Sequence, residues 1–250
     1  MHPLIARLEL SGPLDADERA DVLHACAATA DIPAGQVIVP EGSFPEFSTV
    51  ILGGWACRYK VTKAGGRQIM SFQLPGDWAD LHSYFIEPID HSLSALGDCR
   101  VARVPHAAVR ALFAKHPRLA GVLWRATLLE SAVFREWVVN IGARPANQRL
   151  AHLLCETEAR LDAVGLGPLA SRLPLTQAEI ADSIGVTTVH VNRVLRQLGD
   201  LGLLQHGRGA VRVESWPALR AFADFDPAYL HLQPQTRTAM DCEASWAIRA

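Results

Sequence analysis

The sequence predicts an α+β protein of two domains, with a long helix between them and a two-helix unit plus hairpin toward the C-terminus. Three observations predict it. At 250 residues the chain exceeds one typical small domain and suits two, each able to bury a core. Residues 118–141 contain no helix breaker except Gly121, and Pro117 stands where a helix would begin. Residues 173–213 carry a capping pattern, a turn glycine, a second cap and then alternating strand residues. Charge is nearly balanced, with 24 Lys plus Arg against 26 Asp plus Glu, so no global field draws this chain onto a polyanion. Any such attraction must be local.

The long helix would run about 36 Å at 1.5 Å per residue. Val122, Ala126, Leu129 and Val133 follow a 4-3-4 spacing, which is an a/d seam. Leu119, Leu123, Trp124, Leu128, Phe134, Trp137 and Val138 widen the apolar surface beyond that seam, so the helix must be covered on more than one side. One side is expected on its own N-terminal domain and the other on the same helix of a second copy, giving a parallel homodimer. Arg125, Glu130, Arg135 and Glu136 interrupt the segment too often for a membrane span, and no uncharged apolar run is long enough for one. The N-terminus lacks the basic and apolar stretches of a signal peptide, so the expected location is cytoplasmic. Gly142 and Pro145 then offer a hinge, and a helix over 146–161 opens the C-terminal domain.

Within 173–213, Thr176 and Glu179 stand in capping-box spacing. Ile180, Ala181 and Ile184 give the first helix an apolar stripe that Gly185 can end in the left-handed conformation. Thr187 can cap a second helix over 187–200, on which Val191, Val194, Leu195 and Leu198 recur at i, i+3, i+4, i+7. The opposite face carries Val189, Asn192, Arg193 and Arg196. A solvated amphipathic pair would show the stripe alone; the ordered caps, turn glycine and amide–guanidinium face point to a DNA-binding helix-turn-helix. Gly207 and Gly209 flank Arg208 in a turn, and Val211 and Val213 alternate with Arg212, as in the wing of such a unit. The expected DNA-facing residues are Thr176, Gln177, Thr187, Thr188, Val189, His190, Asn192, Arg193, Arg196 and Arg208. Arg193 suits a bidentate contact to guanine O6 and N7, and Asn192 an adenine edge.

With these residues in view, the stretch resembles the C-terminal domain of the CRP/FNR family of bacterial transcription factors. Upstream, Ala34-Gly-Gln-Val-Ile-Val-Pro-Glu-Gly, Val50-Ile-Leu-Gly-Gly-Trp-Ala-Cys-Arg-Tyr-Lys-Val and Gln68-Ile-Met-Ser-Phe-Gln-Leu-Pro-Gly-Asp are similar to the strands and turns of its effector-binding β-roll. The resemblance covers roughly residues 20–215. It implies a double-stranded, jelly-roll-like β-roll sensor over 1–117, a dimerisation helix and hinge over 118–144, and a winged helix-turn-helix over 145–226. It also implies an inverted-repeat operator and contact with RNA polymerase. Arg193 occupies the position of the family's base-reading arginine, whereas Val189 stands where many members carry a cytosine-reading glutamate, so the usual half-site does not carry over.

In the cyclic-nucleotide-binding branch a Gly-Glu pair and a later Arg-Ser/Thr pair hold the ligand. Here Gly76-Asp77 and His91-Ser92 occupy those places, and no arginine lies between Arg67 and Arg100. A buried cyclic phosphate would lack its charge-assisted partner, so control by cyclic AMP is not expected. An unidentified effector and an empty scaffold both stay open, and a cyclic-AMP- or other small-effector-dependent activator is the alternative.

Five single cysteines, Cys26, Cys57, Cys99, Cys155 and Cys242, give neither a disulfide framework nor the clustered N-terminal thiolates of an iron–sulfur site. His82, His91, Met70 and Cys57 form no recognisable haem motif, so no cofactor and no metal ligand is assigned. No Gly-x-Ser-x-Gly elbow, Walker loop or His-Glu-x-x-His is present, and no enzyme is expected. Residues 216–223 read as a short helix whose Leu219 and Phe222 dock on the domain. The tail over 227–250, rich in Pro, Thr and Gln, is expected to be weakly ordered.

Overall fold

The computed structural model describes residues 2–167, 173–207 and 210–232. Helix α1 (Pro3–Glu9) buries Leu4, Ile5 and Leu8, and α2 (Ala16–Ala25) starts on a full capping box between Asp15 and Glu18. The strands β1 (Thr29–Ile32), β2 (Val37–Val39), β3 (Phe47–Gly53), β4 (Ala56–Val61), β5 (Arg67–Gln73), β6 (Ser92–Ala95) and β7 (Cys99–Pro105) follow, with a 3-10 turn at Leu81–Tyr84. They form two antiparallel sheets ordered β1-β7-β3 and β2-β6-β4-β5. This is the β-roll that the sequence implies. Val50, Ala102 and Val104 pack toward α1 and the helices after the roll, while Ile38, Ile51, Leu93 and Val101 fill the space between sheets.

After α3 (His106–Lys115) comes α4 (Pro117–Ala143), a continuous helix of 27 residues. It runs through Gly142 and ends at Arg144, whose backbone is extended (φ −91°, ψ 146°). The break therefore belongs to Pro145, which disfavours helix in the residue before it; Gly142 takes no part. The residues of the expected a/d seam are covered to different extents by the chain itself. Val122 is buried with Leu119 and Leu123 in the core shared with α1, and Ala126, Leu129 and Val133 are half-buried against the roll. The apolar residues left uncovered are Trp124, Leu128, Phe134, Val138 and Val139.

The C-terminal unit is α5 (Ala146–Asp162), α6 (Gln177–Ile184), α7 (Thr188–Asp200), β8 (Leu204–Gly207), β9 (Ala210–Val213) and α8 (Trp216–Phe222). Its core is not separate. Cys57, Ile69 and Phe72 of the four-stranded sheet, Trp137 of α4, and Leu150, Ile180, Val191 and Leu198 of the helical unit belong to one cluster. Phe72 meets Trp137 edge-on with centroids 5.5 Å apart. Residues 227–230, expected to begin the weakly ordered tail, instead form a 3-10 turn that buries Leu230. Tyr229 there donates to Glu156 at 2.7 Å. The rest of the expected tail from 233, with Cys242, lies outside the described residues. Among the described residues no helix is long and apolar enough to cross a membrane.

Candidate nucleic-acid interface and sensor cavity

The local chemistry of α6 and α7 follows the sequence closely. Thr176 Oγ1 accepts from the Glu179 amide and the Glu179 carboxylate accepts from the Thr176 amide, closing the capping box. Gly185 ends α6 at φ 67°, a left-handed conformation that costs glycine little. Arg149 of α5 donates to the Ile184 carbonyl at 3.0 Å, satisfying an orphan acceptor at that helix end. Thr187 caps α7 by accepting from the His190 amide. Val191, Val194, Leu195 and Leu198 are all buried, which rotates the other face outward.

On that outward face Thr188, Val189, Asn192, Arg193 and Arg196 are exposed, as are Thr176, Gln177 and Thr187, while His190 is half-exposed. Val189 is the most exposed large apolar side chain of the chain's described residues, at 71%. Arg193 and Arg196 make no ion pair with a described residue. Asn192 behaves differently. Its amide exchanges two 2.9 Å hydrogen bonds with Gln177 of α6 and donates a third to the Thr188 carbonyl at 3.3 Å. Sequence reasoning missed this brace because it joins residues 15 apart on two helices. The wing strands pair Leu204 with Val213 and Gln205 with Arg212; Arg208 lies outside the described residues.

The expected effector residues do not form one nucleotide site. Gly76 has φ 96°, and a Cβ there would stand 2.5 Å from the Pro3 carbonyl oxygen, so α1 sits directly on this turn. Asp77 is buried and already engaged. It accepts from Arg7 of α1 at 2.8 Å, from the Leu74 amide at 2.7 Å and from Arg160 of α5 at 2.6 Å. Those partners hold its carboxyl below the usual range against the burial that would raise it. Arg160 also donates to the Phe72 carbonyl at 3.2 Å and lies 3.5 Å from Glu156, which accepts from Trp137 Nε1 at 3.0 Å. A chain of polar contacts thus runs from α1 through the roll and α5 to α4.

Ser92 points elsewhere, accepting from the Glu41 amide at 3.0 Å, whereas His91 lines a cavity of about 400 Å³ between the roll and α4. Phe72, Trp78, Leu129 and Phe134 give it apolar walls, and Arg7, Arg58, Glu130 and His82 polar ones. Arg58 is held by the Ala79 carbonyl at 2.8 Å and by Glu130 at 3.0 Å. Burial, then Arg58, disfavour the charged form of both imidazoles: His82 is lowered to about 4 and His91 is lowered as well. Arg7 Nη2, Gln73 Oε1, Trp78 Nε1 and His82 Nε2 all belong to cavity-lining residues and are buried without a hydrogen-bond partner among the described residues. The four described cysteines are buried in three different core clusters, and burial raises the thiols of Cys26 and Cys155 to about 12 and of Cys99 to about 11.

Comparison with known proteins decides the family. Residues 30–116 match the cyclic nucleotide-binding domain model and residues 148–222 the Crp-like helix-turn-helix domain model, in the order and over the elements just described. The chain belongs to the CRP/FNR family. It is a DNA-binding transcriptional regulator of that type. It is 27% identical over 175 residues to the transcriptional activator protein FnrL of Cereibacter sphaeroides, covering 68% of this chain and 70% of that one. It is 27% identical over 203 residues to the nitrogen fixation regulation protein FixK of Azorhizobium caulinodans, covering 78% and 80%. The structure of FixK2 from Bradyrhizobium japonicum superposes with a TM-score of 0.68 at 25% identity, over 78% of this CRP/FNR chain and 96% of that chain.

Proposed function

We propose that this regulator acts as a homodimer that reads an inverted repeat through α7 and activates transcription by contacting RNA polymerase. The observation that carries the reading is the two-sided character of α7. One face is wholly buried, and the other shows Arg193 and Arg196 without acidic partners among the described residues. Pairing along α4 would cover Trp124, Leu128, Phe134 and Val138, a broad apolar stripe that the chain itself leaves open. A twofold axis there sets two α7 helices against major grooves about one turn, roughly 34 Å, apart. Activation follows the relatives named as activators.

Cyclic AMP is not the effector on this reading. The carboxylate at the Gly-Glu place is engaged by two arginines, and His91 replaces the phosphate-binding arginine. No iron–sulfur cluster is expected, because the described cysteines are scattered through separate cores. The cavity beside α4 favours a second reading, a small-effector-dependent activator.

In vitro selection of genomic fragments by the purified protein, with and without cyclic AMP at a stated salt concentration, tests both. An inverted repeat recovered equally in both arms supports the first reading. Recovery only with the nucleotide replaces it by the second, and no enrichment in either arm means that an effector is missing or that the domain does not read DNA.

A further inference from the structure

We propose that His82, His91 and Asp90 form a binding site for one divalent first-row transition-metal ion in the wall of the sensor cavity. The site stands apart from the DNA-reading argument and does not depend on it. His82 comes from the 3-10 turn after β5, and Asp90 and His91 from the turn that enters β6. These segments are distant from any helix face that could have put the residues in register, yet they converge. One donor atom from each of the three lies within 4.8 Å of the others. The two imidazole rings lie side by side with centroids 5.2 Å apart and a 33° tilt.

Two further observations point to a ligand and not to a hydrogen-bonded histidine pair. His82 Nε2 is buried and has no hydrogen-bond partner among the described residues. A buried polar nitrogen without a partner is costly, and a bound ion would satisfy it. His91 is oriented by Asp90, whose Oδ1 lies 2.7 Å from Nδ1. That contact already sets a carboxylate oxygen beside a ring nitrogen, and an ion that draws on both displaces the proton between them.

The donor set also defines the ion. Two imidazole nitrogens and a carboxylate suit Zn²⁺, Fe²⁺, Co²⁺ or Ni²⁺ and disfavour Mg²⁺ and Ca²⁺, which take oxygen ligands. Three protein donors leave at least one coordination position, which here opens on the cavity. The cations nearest the cluster are not obstacles. Arg58 is paired with Glu130 at 3.0 Å and Lys60 with Glu41 at 3.4 Å. A tetrahedral ion with bonds of about 2.0–2.1 Å needs donors roughly 3.3 Å apart. The Asp90 side chain is 79% exposed and so is free to rotate and close that gap.

The test uses the tag-free full chain, stripped with chelator and titrated with Co²⁺ while its visible absorption is followed, then with Zn²⁺ as competitor. One Co²⁺ per chain, displaced by Zn²⁺, is the expected result. His82→Gln and His91→Gln should each weaken binding about tenfold or more with unchanged circular dichroism. No stoichiometric binding, or binding that survives both substitutions, overturns the site. Should either variant fail to fold, carbethoxylation of the wild-type chain followed by mass spectrometry replaces it. Zn²⁺ must then protect His82 and His91 from the reagent, and equal labelling with and without Zn²⁺ overturns the proposal.

Discussion

Arg193 and Asn192 are neighbours on α7 with opposite energetic situations. The guanidinium is exposed with no ion pair to a described residue, so engaging a guanine edge disrupts nothing that holds the fold. Arg193→Ala should therefore lose about 1–3 kcal/mol of discrimination at one base position while the melting temperature stays put. Competition binding on single-base operator variants reads that directly. The Asn192 amide is satisfied before DNA arrives, by Gln177 and the Thr188 carbonyl. Asn192→Ala should accordingly cost about 1 kcal/mol of stability and change base preference less than Arg193→Ala. A denaturant titration paired with the same binding assay separates the two outcomes. Arg160 poses the third case at this scale. It is buried between Asp77 and Glu156, and removing it takes a charged partner from each, leaving Asp77 with Arg7 and Glu156 with neutral donors alone. Arg160→Ala should destabilise the chain by about 3–5 kcal/mol, seen as a lower denaturation midpoint.

At the scale of elements, what was legible in the sequence depended on how far apart the cooperating residues lie. The α6 and α7 caps, the Gly185 turn and the buried stripe of α7 each involve residues three to seven apart, and all are where the spacing puts them. The face of α4 is a different matter. Its apolar residues cover most of the circumference, and α1 and the roll decide which are covered. Periodicity alone selected Val122 for a partner helix, yet it is the residue against which Gly12 packs, a Cβ at Gly12 standing 3.1 Å from it. Likewise the Arg160–Asp77 contact spans 83 residues, and the nearness of His82 to His91 follows from how two turns converge. Neither has a local signature. The stripe left open on α4 carries its own prediction: Leu128→Glu should convert a dimer to a monomer in sedimentation equilibrium without unfolding the chain. A dimer that survives the buried charge would move the interface elsewhere.

The whole molecule is joined more tightly than a sensor and a reader on a string. The cluster that runs from Phe72 and Ile69 to Leu198 makes the face of the roll part of the reader's core. Arg67 and Asp182 lie 3.6 Å apart at the edge of the same junction. Acid should loosen it from the α5 side. His152 is buried, with Glu136 of α4 3.4 Å from its Nε2 and the Phe225 and Tyr229 rings packed on it. Glu136 is itself engaged by Arg144 at 2.7 Å. Burial and then Arg144 lower the imidazole to about 4 from an ordinary 6.5. A lowered folded value means this contribution is complete above pH 6.5 and is lost as pH falls toward 4. His152→Gln should flatten that limb of the stability–pH curve, and a limb of unchanged slope would assign it to other groups.

The seating of α1 on the Gly76 turn changes how any diffusing ligand for that cradle would have to compete. The Pro3 carbonyl and the Arg7 guanidinium are tethered to the roll by their own chain, so they are present at an effective concentration that dilution cannot lower. For short tethers that figure is of the order of millimolar. A free anion or nucleotide meets a resident competitor. Its apparent dissociation constant is the intrinsic one divided by the fraction of time the helix is away. Occupancy at that turn would report how often the first helix lifts as much as how much ligand the cell holds.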